Sequence, residues 1–310
     1  MDELERIELN ITNEMAGTRL DLVLSAALED YSRSFIQKLF EKGRIAVNGA
    51  VCSEKKAKAS AGDVVTISIP VPEKVDVAAE KMDLEIVYED DDVLVVNKPA
   101  GMVVHPAPGN PGGTLVNGLM YHCGDNLSTI NGVMRLGIVH RIDKDTSGLL
   151  MVAKNDHAHE SLSAQLAEHS TVRRYKAIVY SNFKEDEGTI DEPIGRDPKN
   201  RLRNAIVQNG RNAVTHYRVL ERFGQFTLVE CILETGRTHQ IRVHMAHIRH
   251  PLLGDELYGP AKNKKGAKRQ MLHAGILGFI HPTTGEYMEF EAPLPEDFEK
   301  VLNKLRNTYA

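Results

Sequence analysis

The chain's 310 residues carry 38 Lys and Arg against 43 Asp and Glu, and 42% of them are hydrophobic. That apolar share is enough for a packed core, so the composition excludes a disordered chain, and the length suits two domains of unequal size. Three scattered cysteines, Cys52, Cys123 and Cys231, lack the spacing of a disulfide framework or a cysteine zinc site. No apolar run nears the roughly 20 residues of a membrane span, and the acidic start Met1-Asp2-Glu3-Leu4-Glu5 lacks a signal core. A soluble, cytoplasmic protein with no membrane contact is expected.

The formal charge of −5 conceals segregation. Residues 71–92 hold nine acids against two bases, whereas residues 171–222 hold eleven bases against seven acids and residues 234–273 hold eight against three. Phosphate recognition depends on such local basic faces and not on the total.

Along residues 18–70, Leu20, Val23, Leu24, Ala27 and Leu28 repeat at helical spacing. A second helix is predicted from Ser34, with Gln37 as the far half of a capping box, to a stop at Gly43. The run 44–47, the turn Asn48-Gly49 and residues 50–52 read as a hairpin, and Val64 to Ile69 supplies a last strand. Ser34, Lys38 and Lys42 fall on one helix face, which for an isolated helix is most simply a solvated surface. The whole pattern resembles the small RNA-binding domain of the ribosomal-protein-S-four type. That resemblance implies an α/β module whose basic helix face and hairpin grip structured RNA, with Arg19, Arg33, Ser34, Lys38, Lys42 and Arg44 at the matching positions.

A Pro70-Val-Pro72 linker and an acidic stretch to Asp92 follow, placing the domain boundary at 1–75 and 76–310. Next come Val93-Leu-Val-Val-Asn-Lys-Pro-Ala-Gly101, Val104-His105-Pro106 and Gly113-Thr114-Leu-Val-Asn117. The segment His140-Arg-Ile-Asp-Lys-Asp-Thr-Ser-Gly148 lies between two apolar runs, 136–139 and 149–153, both read as short buried strands. It is therefore a polar loop clamped on a rigid frame. An alternating strand, Arg173-Arg-Tyr175-Lys-Ala-Ile-Val179, and the segment Glu234-Thr-Gly-Arg-Thr-His-Gln-Ile-Arg-Val-His244 complete the series.

Taken in order, these segments resemble the RluA/RluD-type pseudouridine synthases, and the 106–110 version resembles the RluD side of that family. The resemblance implies a mixed, largely antiparallel central sheet with flanking helices, an α+β fold, with an active cleft across its middle. It also implies an isomerase that converts specific uridines of RNA, by analogy in large-subunit ribosomal RNA, to pseudouridine. That reaction breaks the sugar–base bond, turns the base and rejoins it through carbon, so it needs no cofactor. A positioned carboxylate suits attack on base or sugar, or assistance to a glycal, and the family gives this role to the position of Asp143.

A carboxylate in a water-excluding site needs a fixed cation to stay ionised. The family's arginine matches Arg242, whose guanidinium can hold both carboxylate oxygens. Tyr175 matches the tyrosine that stacks on the base, with its hydroxyl available for the ring proton. Uridine must be flipped out of its stack, and Arg141 is the candidate to fill the gap; His140 shapes the loop or contacts RNA. His239, His244, His247 and His250 lack the spacing of a metallohydrolase, so no metal is expected. The run Lys262, Lys264, Lys265, Lys268 and Arg269 reads as a solvated loop, with phosphate contact as the second reading. A monomer is expected, with RNA as partner. The competing reading is a non-catalytic RNA-binding or ribosome-assembly factor that keeps the fold, and the joint presence of Asp143, Tyr175 and Arg242 counts against it.

Overall fold

The computed structural model describes residues 4–28, 33–54, 56–70, 77–107, 109–124, 126–130, 136–200, 203–260 and 264–309, with the side chains of 4, 5, 33–35 and 70 excluded. The chain divides into two compact units, Met1–Asp76 and Val77–Ala310.

The first unit runs β1 (Leu4–Asn10), α1 (Leu20–Ala27), α2 (Arg33–Glu41), β2 (Ile45–Val47), β3 (Ala50–Val51) and β4 (Val64–Pro70). Its antiparallel sheet has the order β1-β4-β2-β3. The apolar stripes of both helices meet it: Leu20, Leu24, Ile36, Leu39 and Phe40 are buried with Ile45, Val65 and Ile67. Asn48 and Gly49 take positive φ, as a two-residue hairpin turn requires. The expected capping box on α2 involves the Ser34 side chain, which lies outside the described residues, and Gln37 instead donates from Nε2 to Asp21 Oδ2 at 3.2 Å.

Among the described residues, the second unit is a nine-stranded mixed sheet with four helices. It contains β5 (Glu85–Glu89), β6 (Val93–Lys98), α3 (Leu115–Cys123), β7 (Ser147–Ala153), α4 (Asp156–Ala167), β8 (Val172–Tyr180) and β9 (Glu187–Asp191). A short ribbon follows, β10 (Ile194–Arg196) with β11 (Asn204–Ile206), then β12 (Val214–Phe223), β13 (Phe226–Leu233), α5 (Gln240–His247), β14 (Leu272–Ile280), β15 (Tyr287–Glu291) and α6 (Glu296–Tyr309). The sheet order is β5-β6-β7-β14-β8-β13-β12-β9, with β15 also on β14. Every pairing is antiparallel except β14 with β7, where His273 and Ala274 face Ser147 and Gly148. Gly148 has φ +118, and a Cβ there would sit 2.2 Å from Ala274 O, so only glycine lets the two strands close at this point. Strands β6 and β7 are buried on both faces and read as continuous apolar runs for that reason.

One expected strand is absent. Residues 136–139 contribute only an isolated bridge, Ile138 to Val152. Gly137 has φ +65, and a Cβ there would lie 2.5 Å from Ala153 O, so the chain bends where the apolar run suggested extension. Conversely, β1 pairs along its whole length with β4 although three of its seven residues, Glu5, Arg6 and Glu8, are charged.

Candidate active site

The loop entering β7 is pinned from several sides. His140 Nε2 accepts the Met151 N–H at 3.0 Å, which requires that nitrogen unprotonated. Burial and then the charge of Arg173 press the imidazole's pKa down to about 3. Fully buried Lys98 donates from Nζ to the carbonyls of Pro99, Met102 and Lys144 at 2.8, 2.9 and 3.0 Å. Burial pushes its pKa down to about 7, yet three carbonyl acceptors are what an ammonium's three donors require. Arg269 donates to Asp145 O at 3.0 Å and pairs with Asp297 at 2.7 Å. Reading the 262–269 run as a solvated loop is therefore corrected for Arg269, which is buried because it braces the loop; Lys262 lies outside the described residues.

The 234–244 segment folds around Gln240. The Gln240 Oε1 accepts from Thr235 Oγ1 and the Arg237 N–H at 2.7 and 2.9 Å, and its Nε2 donates to Val214 O and Thr215 Oγ1 at 2.9 and 3.0 Å. The first turn of α5 is thereby fixed, and Arg242 projects from it toward the loop. Nη1 of Arg242 donates to Asp143 Oδ2 at 2.9 Å. The guanidinium does not grip both Asp143 oxygens, as the sequence suggested. Its fork is taken by Asp255, with Nε to Oδ2 at 2.7 Å and Nη2 to Oδ1 at 3.0 Å. Asp255 is itself locked, accepting the N–H groups of Leu257 and Tyr258. Burial opposes the charge on Arg242, but the hydrogen bonds and charges of Asp255 and Asp143 outweigh it and raise its pKa. The ring of Tyr258 lies 5.2 Å from the guanidinium carbon. On the other side of Asp143, His239 Nε2 is 3.9 Å from Oδ1, while its Nδ1 meets Tyr258 OH at 2.9 Å. Burial lowers the pKa of His239, which favours the neutral imidazole.

His140, Asp143, His239, Gln240 and Arg242 line a cavity of about 740 Å³, a size typical of small-molecule sites. Tyr175 of β8, Leu233 of β13 and Leu272 of β14 bring the cavity to the middle strands of the sheet. Tyr175 is buried beside Asp143's loop, and burial raises its phenol pKa, so the hydroxyl stays protonated at neutral pH. Arg141 is exposed on the cavity lining. Among the lining residues Asp143 is the one carboxylate, facing five arginines.

Sequence reasoning singled out Asp143, Tyr175, Arg141, His140 and Arg242, and all five line this cavity. It missed Asp255, Tyr258, Gln240 and Lys98, and it weighed His239 only as a metal ligand. The histidines of 239–250 are spread over separate tasks. The fully buried His244 bonds Thr215 Oγ1 and Glu192 O, and His250 stacks on Phe183 at 3.8 Å between ring centres. Among the described residues, Glu89, His122 and Cys123 form the one group with metal-ligand spacing, and the Lys154 ammonium stands 2.8 Å from Glu89 there.

In the first unit, Lys38 and Lys42 are exposed, and Arg44 is partly so. The Arg19 guanidinium is bidentate to buried Asp21, at 3.0 Å twice, which gives it a structural task. The Arg33 and Ser34 side chains lie outside the described residues.

A sheet-borne cavity holding one carboxylate among five arginines suits an anionic ligand. The comparisons with known proteins specify it. The family model described as RNA pseudouridylate synthase matches residues 92–247, and that of the S4 domain matches residues 18–65. The chain is 58% identical to the uncharacterized RNA pseudouridine synthase YlyB of Bacillus subtilis (strain 168), over 98% of this chain and 99% of that protein. It is 48% identical to ribosomal large subunit pseudouridine synthase D of Zymomonas mobilis, over 96% of this chain and 97% of that one. The structure of human RNA pseudouridylate synthase domain containing 1 superposes with a TM-score of 0.56 at 27% identity, over 76% of this chain and 97% of that chain. The chain belongs to the RNA pseudouridine synthase family, and it is an isomerase with an RNA-binding S4 domain.

Proposed function

We propose that the enzyme isomerises uridines of large-subunit ribosomal RNA and that Asp143 is its reacting group. The observation that carries this is Asp143's position as the one carboxylate lining the cavity, hydrogen-bonded to a buried arginine. In the reaction the bond from C1′ to N1 breaks, the base turns, and a bond from C1′ to C5 forms. The C5 proton leaves and N1 gains one, so the balance needs no oxidant. Asp143 attacks the sugar or the base, or assists glycal formation; each route needs an ionised, oriented carboxylate. Arg242, held rigid by Asp255, supplies the fixed countercharge, and one hydrogen bond leaves Asp143 Oδ1 for the substrate.

Tyr175 offers a ring face to the flipped base. Its raised pKa argues against a phenolate base and favours stacking. Arg141, exposed beside Asp143, takes the space vacated in the RNA. The domain of residues 1–75 adds affinity through Lys38, Lys42 and Arg44, while residues 76–310 carry the chemistry. The ribosomal substrate is supported by the relatives named large subunit pseudouridine synthase D. We read the enzyme as a cytoplasmic monomer; among the described residues no helix is long and apolar enough to cross a membrane.

The test is incubation of purified protein with large-subunit ribosomal RNA transcripts, followed by mapping of pseudouridine. Site-specific formation by the wild type and none by Asp143→Asn is expected. Conversion by both would remove Asp143 from the chemistry, and conversion by neither would remove the substrate.

A further inference from the structure

Three further arginines on the cavity lining carry charges that the fold leaves unanswered. Arg173, on β8, is 6% exposed, and among the described residues its guanidinium has a single acceptor, the Glu234 carbonyl at 2.7 Å from Nη2. Its buried Nε has no hydrogen-bond partner among the described residues. Arg237 donates from Nε to Asn212 O at 2.8 Å, and exposed Arg211 stands beside it on the same lining. None of the three forms an ion pair with a described residue. Burial, and then neighbouring arginines, disfavour charge on both Arg173 and Arg237.

Leaving a cation buried without an anion is costly, and folded proteins avoid it unless a ligand supplies the partner. The chain makes room for it nonetheless. A Cβ on Gly236 would fall 2.9 Å from Arg173 Nη1, so the glycine of the 234–244 segment admits this guanidinium. A planar fork with free donors matches the geometry of a phosphodiester oxygen pair, and a phosphodiester also brings the anion that the fold withholds. The three arginines come from the two basic stretches, residues 171–222 and 234–273, and the fold brings them onto one lining.

We propose that Arg173, Arg237 and Arg211 form a phosphate subsite that seizes one backbone phosphodiester next to the flipped uridine. This rests on the functional reading above and deepens it. The subsite sets where the nucleotide's backbone lies while Asp143 addresses its sugar and base. Arg173 makes the desolvated contact, and the two outer arginines share the charge at the mouth. These residues act in ground-state binding and in the turned-over complex alike, so their loss raises KM and leaves kcat nearly unchanged.

The experiment uses the full-length protein and a ribosomal stem-loop in which single neutral methylphosphonate linkages replace the phosphates around the target uridine, one at a time. At one linkage the wild type should lose roughly 10- to 100-fold in affinity, the scale of a charge-assisted contact. Arg173→Gln should lose a similar factor on the unmodified RNA, with kcat within about twofold, and should lose nothing more at that same linkage. Arg237→Gln and Arg211→Gln, nearer the surface, should show smaller coupling at the same linkage, and they carry the test if Arg173→Gln fails to fold. Arg173→Lys should restore part of the affinity by restoring charge. Penalties that add fully at every linkage, or a loss confined to kcat, would overturn the subsite. RNA affinity is read alongside turnover. A wild type that makes no pseudouridine therefore defeats the functional reading, while the coupling in binding still decides the subsite.

Discussion

Arg242 and Arg173 line the same cavity and are equally hidden, at 8% and 6% exposure, yet their electrostatic settings are opposite. Arg242 stands between two carboxylates, and its charge is favoured; Arg173 has a carbonyl and a neighbouring arginine, and its charge is disfavoured. Burial alone therefore says little about what a cation does. Where the fold supplies the counterion, the arginine's position is settled before substrate arrives, and it serves the reacting carboxylate. Where the fold withholds it, a ligand must provide the anion. Both arginines come from segments that also hold aromatic or apolar core positions, so packing sets both backbones, and Asp255 then fixes the head of Arg242 alone.

The largest expected effect lies on the paired side. Asp143→Asn, nearly isosteric but a poor nucleophile, should lower single-turnover pseudouridine formation by at least about 10³-fold with RNA affinity kept within a factor of a few. A parallel loss of affinity would erase the distinction between the two walls. Arg242→Lys should cost about 10²-fold in kcat, because an ammonium cannot span Asp255 and Asp143 together. The same exchange at Arg173 should act on KM; similar kcat losses for both would merge the two classes.

Arg141→Ala should cost on the order of tenfold on a structured stem-loop and less on an RNA whose target uridine is already unstacked, since extrusion costs a few kcal/mol. Equal losses on both RNAs would assign Arg141 to chemistry or to general binding. Charge reversal at exposed Lys38 and Lys42 should weaken binding several-fold and flatten its salt dependence, leaving kcat unchanged. An unaltered salt slope would remove that face from RNA contact.

The smallest effect is one of pH. The folded pKa of His140, about 3, lies below its unfolded value near 6.5, so the unfolded chain binds this proton more readily. The stabilisation from neutral His140 is present above about pH 6.5 and is lost as pH falls toward 3. Relative to His140→Gln, the wild type should lose roughly 2 kcal/mol of unfolding free energy between pH 7.5 and 5. A pH-independent difference would mean that the ring is not held as an acceptor for Met151 N–H.

The hairpin at Asn48-Gly49 and the helices of the first unit were legible because their turn chemistry and apolar periods match their elements, and the central sheet was legible only through the family resemblance. Asp143 and Arg242 were legible through ordered segments that resemble a family, and their 99-residue separation closes only in the fold. Asp255 was not legible: it follows Gly254 in what reads as a turn, and only three-dimensional proximity makes it the holder of Arg242. The state of Arg173 was equally hidden, since an arginine in an alternating strand carries no sign of whether its head reaches water. Strand β1 escaped notice because its alternation is thin, and its place depends on a partner some 60 residues away. The failed strand at 136–139 shows the reverse, where one left-handed glycine overrules an apolar run.

The central claim is that this chain modifies large-subunit ribosomal RNA through Asp143. Pseudouridine mapping of that RNA from cells lacking the gene, complemented with wild type or with Asp143→Asn, tests it most directly. Specific sites should vanish in the deletion strain, return with the wild type and stay absent with Asp143→Asn. An unchanged map in the deletion strain, or restoration by Asp143→Asn, would contradict the account.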